Sequence, residues 1–570
     1  MASLEVAVAA YQTFLGPPSH APPSGWGGGG RVGVGRPGPA RPVGPGARLS
    51  ADPVTSRRQA LPGLERLWAA GCLGACKLIN TAAALLAGDA RAGRWRPGGT
   101  WISILEILPT ILPLSQRHCP TTVCSPPSHP STMCLLHPCW SCCCLLLFFS
   151  LGVQGVPKDP SAKPEQIHLS YPGEPGSMTV TWTTWVPTLS EVQFGVQLTG
   201  PLPLRAKGTA SLFVDGGHLR RKLYIHRVTL RGLLPGIQYV YRCGSSQGWS
   251  RRFRFRALND GPHWSPRLAV FGDMGTDNPK ALPRLRRDTQ QGMYDAVLHV
   301  GDFAYDMDQD NARIGDEFMR QIEPVAASLP YMTCPGNHEE RYNFSNYKAR
   351  FSMPGNNEGL WYSWDLGPAH IISFSTEVYF FLHYGRHLVE RQFHWLERDL
   401  QKANENRAAR PWIITMGHRP MYCSNADLDD CTWHESKVRK GLYGKLFGLE
   451  NLFYKYGVDL EFWAHEHSYE RLWPIYNYQV FNGSREMPYN NPRGPVHIIT
   501  GSAGCEEKLT RFTLFPRPWS AVRVKEYGYT RLHILNGTHL HIQQVSDDQD
   551  GKIVDDVWLV RPLLNRMMYL

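Results

Sequence analysis

An all-β domain over residues 160–257, followed by a β-rich α/β (α+β) layered domain over 265–515, is the fold class the sequence predicts. Three observations predict it. Residues 177–183 (SMTVTWT) and 222–228 (KLYIHRV) alternate with period two, the pattern of half-buried strands. From residue 265 onward short apolar runs instead end in polar residues, at 268–271, 296–300, 331–333, 370–374, 412–415, 460–463 and 496–500. Between several of these runs apolar residues recur every three to four, as over 388–404, which is a helix signal.

Taken in chain order, the first quarter is unlike the rest. Up to residue 155 there are 12 Lys+Arg against 5 Asp+Glu, and 48 against 44 afterwards, so +7 of the formal net charge of +11 lies there. The basic balance is therefore no clue to partners, and no nucleic-acid partner is expected. Residues 16–50 are dominated by Gly, Pro and Arg, which cannot bury enough apolar surface to offset ordering entropy. With the rest of 1–132 they read as a low-complexity extension, disordered or outside the native product. The stretch Gly33-Val34-Gly35-Arg36-Pro37-Gly38 matches GxGxxG, yet no strand precedes it and Pro37 interrupts it, so no dinucleotide site is read there.

Residues 133–155 read as a secretory signal. After Met133, an apolar run of about a dozen residues starting at Cys142 is too short to span a bilayer, and no stable membrane span is expected. Val153 and Gly155 supply the small residues of a cleavage site after Gly155, although the segment before the run lacks Lys or Arg. Met133 is then the expected initiator. Sequons at Asn343, Asn482 and Asn536 complete the expectation of a secreted glycoprotein. Nine of 14 cysteines precede residue 155. The other five form no CxxC pair, which argues against a zinc ribbon, and Cys423 and Cys431 would close a short loop in an oxidising compartment.

Within 160–257, turn clusters at 172–176 and 215–217 separate the strands. The size, Trp182 and the Tyr239-Val240-Tyr241 run suggest a fibronectin-III-like sandwich. Arg251 to Arg256 interleave basic and aromatic residues, which is the period-two pattern of a half-exposed strand. Residues 516–562 return to strands around Asp550-Gly551 and are expected to pack on the layered domain. Placing Gly551 at position six of a calcium loop would put Val557 where a bidentate Glu must stand, so that segment is a hairpin turn.

The chemistry lies in the polar tips of the layered domain: Asp273-Met274-Gly275, Gly301-Asp302-Phe303-Ala304-Tyr305, Gly336-Asn337-His338-Glu339, Gly417-His418 and His465-Glu466-His467. Layered folds gather such tips at one edge of their sheets. A hard trivalent ion favours anionic oxygen, here Asp273, Asp302 and the phenolate of Tyr305, whereas a divalent partner accepts neutral nitrogen and amide oxygen. Asp302 can bridge two ions about 3.5–4 Å apart. In an extended segment His465 and His467 would point to one face, one serving each ion.

These five motifs, in this order, resemble those of the purple acid phosphatases within the metallophosphoesterase superfamily, over residues 160–562. The ordinary superfamily pattern has Asp-x-His first and no tyrosine in the second motif. Asp273-x-Gly275 with Tyr305 points to the purple branch. The resemblance implies a four-layer β-sandwich catalytic domain. Fe(III) would be held by Asp273, Tyr305 and His467 with Asp302 bridging, and a divalent ion (Zn, Fe or Mn) completed by Asn337, His418 and His465. It further implies an acid phosphatase, secreted by the reading of the signal above, that hydrolyses small phosphate monoesters by in-line attack of metal-activated hydroxide. His338 would orient phosphate and protonate the leaving group. A phosphodiesterase or pyrophosphatase on the same centre, or a catalytically weak metal-binding interaction protein, are the alternatives. Two residues depart from the family pattern. Ala464 stands where the last motif has Gly, and its methyl fits if the local φ is negative. Thr415 stands where Val precedes the fourth-motif histidine and adds a hydroxyl. Plant members carry a histidine pair after the fourth motif; residues 424–430 have none, which leaves His434 as the substitute considered.

Overall fold

A computed structural model describes residues 159–481 and 487–562 of the chain. The extension over 1–132, the signal over 133–155 and the sequon at Asn482 lie outside the described residues. In the first domain Glu165–Ser170, Met178–Thr184, Lys222–Leu230 and Thr209–Val214 form one antiparallel sheet. The facing sheet is built on Glu191–Gly195 and Gln238–Ser245, with Phe253–Arg256 paired to the latter. Val180, Trp182, Phe194, Tyr239 and Tyr241 fill the space between them. Along Phe253–Arg256 the phenylalanines are buried and the arginines exposed, as period two requires.

The second domain stacks two sheets. Tyr331–Cys334, Ala296–Val300 and Arg267–Phe271 run parallel in a six-stranded sheet. Ala369–Ser373, Trp412–Met416, Leu460–Trp463 and Val496–Thr500 run parallel in a seven-stranded one. Alternation along a single strand explains the layering. Leu268 and Val270 share a cluster with Ile371, Ile414, Phe462 and Ile498, which is the core between the sheets. Ala269 and Phe271, on the opposite face, join the cluster that holds the apolar sides of Leu282–Gln290, Gln309–Ala326 and His387–Glu405. Each sheet is thus buried on both faces, which is why these strands read as continuous apolar runs.

The C-terminal segment does more than pack on this domain. Gly528–Ile534 pairs antiparallel with Arg267–Phe271 and is followed by His539–Ser546 and Lys552–Val560, so half of the six-stranded sheet comes from it. Ser520–Val524 closes the seven-stranded sheet. Local periodicity announces these strands but carries no record of their partners. The Asp550-Gly551 turn is a hairpin with both residues in the left-handed region, φ 50° and 86°.

Cys423 and Cys431 form a disulfide with Cα atoms 5.4 Å apart, and Cys243, Cys334 and Cys505 are free and buried. Asn343 and Asn536 are exposed. No helix among the described residues is long and apolar enough to cross a membrane.

One half-buried pairing gives the fold a measurable pH dependence. His370 binds Asp365 Oδ1 through Nδ1 at 2.7 Å and Asp399 Oδ2 through Nε2 at 3.0 Å. Burial pulls its pKa down, but the two carboxylates outweigh it and push it from 6.5 up to about 9. The folded value lies above the unfolded one, so the stabilisation is complete below pH 6.5 and is lost as pH rises through about 9. Unfolding of wild type and His370→Asn, compared between about pH 6 and 9.5, should show the stability gap shrink with rising pH by up to about 3 kcal/mol. A gap independent of pH would remove the charged pairing.

Candidate metal centre

Every polar tip named above follows the C-terminal end of a parallel strand. Asp273, the pair Asp302 and Tyr305, and Asn337 follow strands of the six-stranded sheet; His418 and the pair His465 and His467 follow strands of the seven-stranded one. The site therefore straddles the two sheets at one edge. Four of its residues hold a left-handed backbone: Asp273 (φ 58°), Asp302 (52°), Tyr305 (54°) and His465 (68°). Such conformations cost about 1–3 kcal/mol each for non-glycine residues and persist where surrounding structure fixes them.

The side chains converge in two groups. Tyr305 Oη lies 2.8 Å from His467 Nε2 and 3.3 Å from Asp273 Oδ1, and His467 Nε2 lies 3.5 Å from Asp273 Oδ1. In the other group His418 Nε2 is 3.1 Å from Asp302 Oδ2, 3.1 Å from Asn337 Oδ1 and 3.2 Å from His465 Nδ1. Asp273 Oδ2 links the groups by accepting the His465 backbone N–H at 3.0 Å. Two glycines allow the close approach. A Cβ on Gly336 would stand 2.2 Å from Asp302 Oδ1, and one on Gly301 would stand 2.4 Å from His418 Nδ1.

Beneath this layer sits Glu339, a residue of the third motif to which the sequence assigns no role. Its buried carboxyl group, with a pKa pushed up to about 8 by burial and by Asp302, accepts the N–H groups of Asp302, Phe303 and Gly336 at 2.9, 3.0 and 2.9 Å. It ties the second motif to the third. His338 donates its backbone N–H to Asp302 Oδ1 at 3.0 Å, and its Nδ1 meets Asp306 Oδ1 at 2.8 Å. Asp306, the residue after Tyr305, is a second group that the motifs do not single out.

Charge at the site follows from these contacts. Burial alone would raise the Asp302 carboxyl, but His418 and His338 hold it well below the usual range. Burial would lower His418 and His467; Asp302 lifts the first to about 9, and Asp273 and Cys505 lift the second to about 12. Burial lowers His338 too, and Asp302 and Asp306 reverse this to about 10. Burial, Asp273 and Asp302 all push the Tyr305 phenol well above 10. The donors fit two cations. Asp273, Tyr305 and His467 offer a hard oxygen-rich set, and Asp302, Asn337, His418 and His465 a mixed oxygen and nitrogen set. Only a strongly polarising cation between Tyr305 and the carboxylates would draw off the phenolic proton.

Four expectations need correction or completion. His465 and His467 do not lie in an extended segment: residues 465–468 form bends, with Glu466 N–H on Ala464 O at 2.7 Å, and the left-handed His465 turns its ring toward His418 while His467 faces Tyr305. Each ring still serves one group, by a bend rather than by strand alternation. His434 stands outside the cleft, stacked on Tyr478 at 5.0 Å and beside Glu435. The cleft of about 440 Å³ is lined by Asp302, Asn337, His338, His465 and His467 from the motifs and by Asp427, Asp429, Glu507 and Lys508 from two loops. Ala464 is not among the residues of positive φ, and its methyl faces Gly272, where a Cβ would lie 2.4 Å away. The extra hydroxyl of Thr415 is buried without a hydrogen-bond partner, at a cost of about 1–3 kcal/mol.

With this geometry in hand, comparison with known proteins places the chain. The model of the calcineurin-like phosphoesterases matches residues 266–469, in agreement with stacked sheets carrying their donors at strand ends. The model of the purple acid phosphatase N-terminal domain matches 164–257, and that of the iron/zinc purple acid phosphatase-like protein C matches 494–556. Acid phosphatase type 7 of Homo sapiens is 88% identical over 431 residues, 76% of this chain and 98% of that protein. Acid phosphatase type 7 of Danio rerio is 60% identical over 405 residues, 70% of this chain and 91% of that protein. Purple acid phosphatase 21 of Arabidopsis thaliana is 30% identical over 421 residues, 71% and 86%. The structure of purple acid phosphatase PPD1 from yellow lupin (Lupinus luteus) seeds shares the fold, with a TM-score of 0.59 at 24% identity over 70% of this chain and 75% of that one. The chain belongs to the purple acid phosphatase family.

Proposed function

We propose that this acid phosphatase hydrolyses small phosphate monoesters at a binuclear centre held by Asp273, Asp302, Tyr305, Asn337, His418, His465 and His467. The observation that carries the reading is the convergence of those side chains into two groups joined through Asp273 and His465. Bound there, a trivalent iron and a divalent zinc, iron or manganese ion would neutralise phosphate oxygens and make water acidic enough to attack.

The chain's own residues then do three things. The strand ends hold the donors on one edge, where the cleft opens onto Asp302, Asn337, His465 and His467. His338 is anchored through Nδ1 by Asp306, and its Nε2, 3.8 Å from Glu507 Oε1 in the cleft lining, is placed to orient phosphate and deliver a proton to the leaving oxygen. The lining carboxylates Asp427 and Glu507, beside Lys508, weigh against substrates with additional phosphate charge, which supports a monoesterase over a pyrophosphatase. His338→Ala should lower kcat by about 10²-fold for an alkyl phosphate and by much less for p-nitrophenyl phosphate, whose leaving group needs no proton. Equal losses on both substrates would remove the proton-donor role.

Secretion is supported by the Cys423–Cys431 disulfide and by the exposure of Asn343 and Asn536. The deciding experiment is the visible spectrum, with metal analysis, of protein expressed from Met133 through the secretory route and assayed on a monoester and a diester. A broad band that disappears in Tyr305→Phe is expected. A colourless protein with two zinc or manganese ions would mean a centre without ferric tyrosinate, and a metal-free one would favour an interaction protein.

A further inference from the structure

The His465 ring faces two ways. Nδ1 points into the proposed divalent group, 3.2 Å from His418 Nε2, while Nε2 meets Asp429 Oδ2. The same carboxylate oxygen receives Arg419 Nη1 at 3.2 Å, and Arg419 is fixed in turn by Nε on the fully buried Glu377 at 3.0 Å. Arg419 Nη1 also lies 2.9 Å from His465 Nε2. With Nδ1 serving as a ligand, Nε2 carries the hydrogen, so ring and guanidinium both donate to Asp429 and not to one another. The backbone of Asp429 is equally constrained. Its carbonyl accepts the Thr432 N–H at 2.9 Å and the Thr432 hydroxyl at 2.7 Å, inside a loop closed by Cys423–Cys431. A surface carboxylate with one flexible partner would show none of this.

We propose that Asp429 is a positioning residue for the divalent ion: held by Arg419 and the disulfide loop, it fixes the tautomer and ring plane of His465 and strengthens Nδ1 as a donor. This rests on the binuclear reading above. A carboxylate on the far nitrogen of a ligating histidine typically changes metal affinity by about 10- to 100-fold when removed. The plain alternative is an ion pair of Asp429 with Arg419 that merely shapes the loop; it predicts lost stability and unchanged affinity.

Zinc(II), titrated into the full-length chain against a competing chelator, separates the two. Asp429→Ala should weaken one of the two zinc equivalents by about 10- to 100-fold, leave the other unchanged and leave the melting temperature without added zinc near that of wild type. Wild-type affinity for both equivalents overturns the proposal. Should Asp429→Ala fail to fold, Asp429→Asn keeps the size and one acceptor oxygen without the charge; a weakened equivalent is expected there too, and wild-type affinity in it again overturns the proposal. A wild-type chain that takes up no zinc would overturn the binuclear reading itself and this inference with it.

Discussion

Asp302→Asn is expected to lower kcat/KM on p-nitrophenyl phosphate by about 10³- to 10⁴-fold and to reduce bound metal from two ions per chain to at most one. The magnitude corresponds to the several kcal/mol of charge stabilisation that a paired metal centre supplies. Asp302 is the carboxylate proposed to touch both ions, and asparagine removes its charge while keeping its shape. The substitution keeps the local backbone, and the amide oxygen can still accept the His338 N–H while the contact with His418 Nε2 is lost. Asp302 sits at φ 52°, a conformation asparagine adopts more readily than other side chains. Its backbone N–H on Glu339 is retained. Activity and metal analysis, read beside an unchanged circular dichroism spectrum, check it. Two bound ions in the variant would mean that Asp302 does not bridge.

Glu339→Ala should act through stability as well as through chemistry. Three buried N–H groups, from Asp302, Phe303 and Gly336, would lose their acceptor at once. Each unsatisfied donor costs about 1–3 kcal/mol, and with partial entry of water a net loss of about 3–5 kcal/mol is expected. The turn carrying Asn337 and the backbone carrying Asp302 would loosen together, so metal content should fall in parallel. Glu339→Gln keeps one acceptor oxygen and should fall between. Denaturant unfolding with the m-value compared across the series checks the prediction. A loss of activity with wild-type stability would make Glu339 a participant in the chemistry instead of a brace beneath it.

Much of this architecture is legible in the amino-acid sequence. The strands at 296–300, 460–463 and 496–500 stand where apolar runs end in polar residues, and the helix signal over 388–404 corresponds to His387–Glu405. Apolar runs carry that information because both faces of each sheet are buried. Other features are invisible for a physical reason. Glu339 does its work through backbone donors up to 37 positions away, and backbone donors have no residue type to recognise. The bend at His465 depends on a left-handed backbone that its side chain does not advertise. Asp429 is one of three aspartates between 427 and 430, and nothing in that stretch sets it apart. Its partner is defined only by the turn that swings the His465 ring toward it.

The pairing of Arg267–Phe271 with Gly528–Ile534 has a consequence for how the protein is made. During synthesis the first strand of the catalytic domain leaves the ribosome long before its neighbour exists, with one hydrogen-bonding edge unsatisfied. That edge is apolar and extended, a template for wrong pairing until Gly528–Ile534 arrives. Chains cut short between residues 468 and 527 would retain every proposed metal donor and yet be unable to close the sheet beneath them. Late truncations should therefore act as folding failures, seen as aggregation and retention by the quality-control machinery of the cell, before they act on turnover.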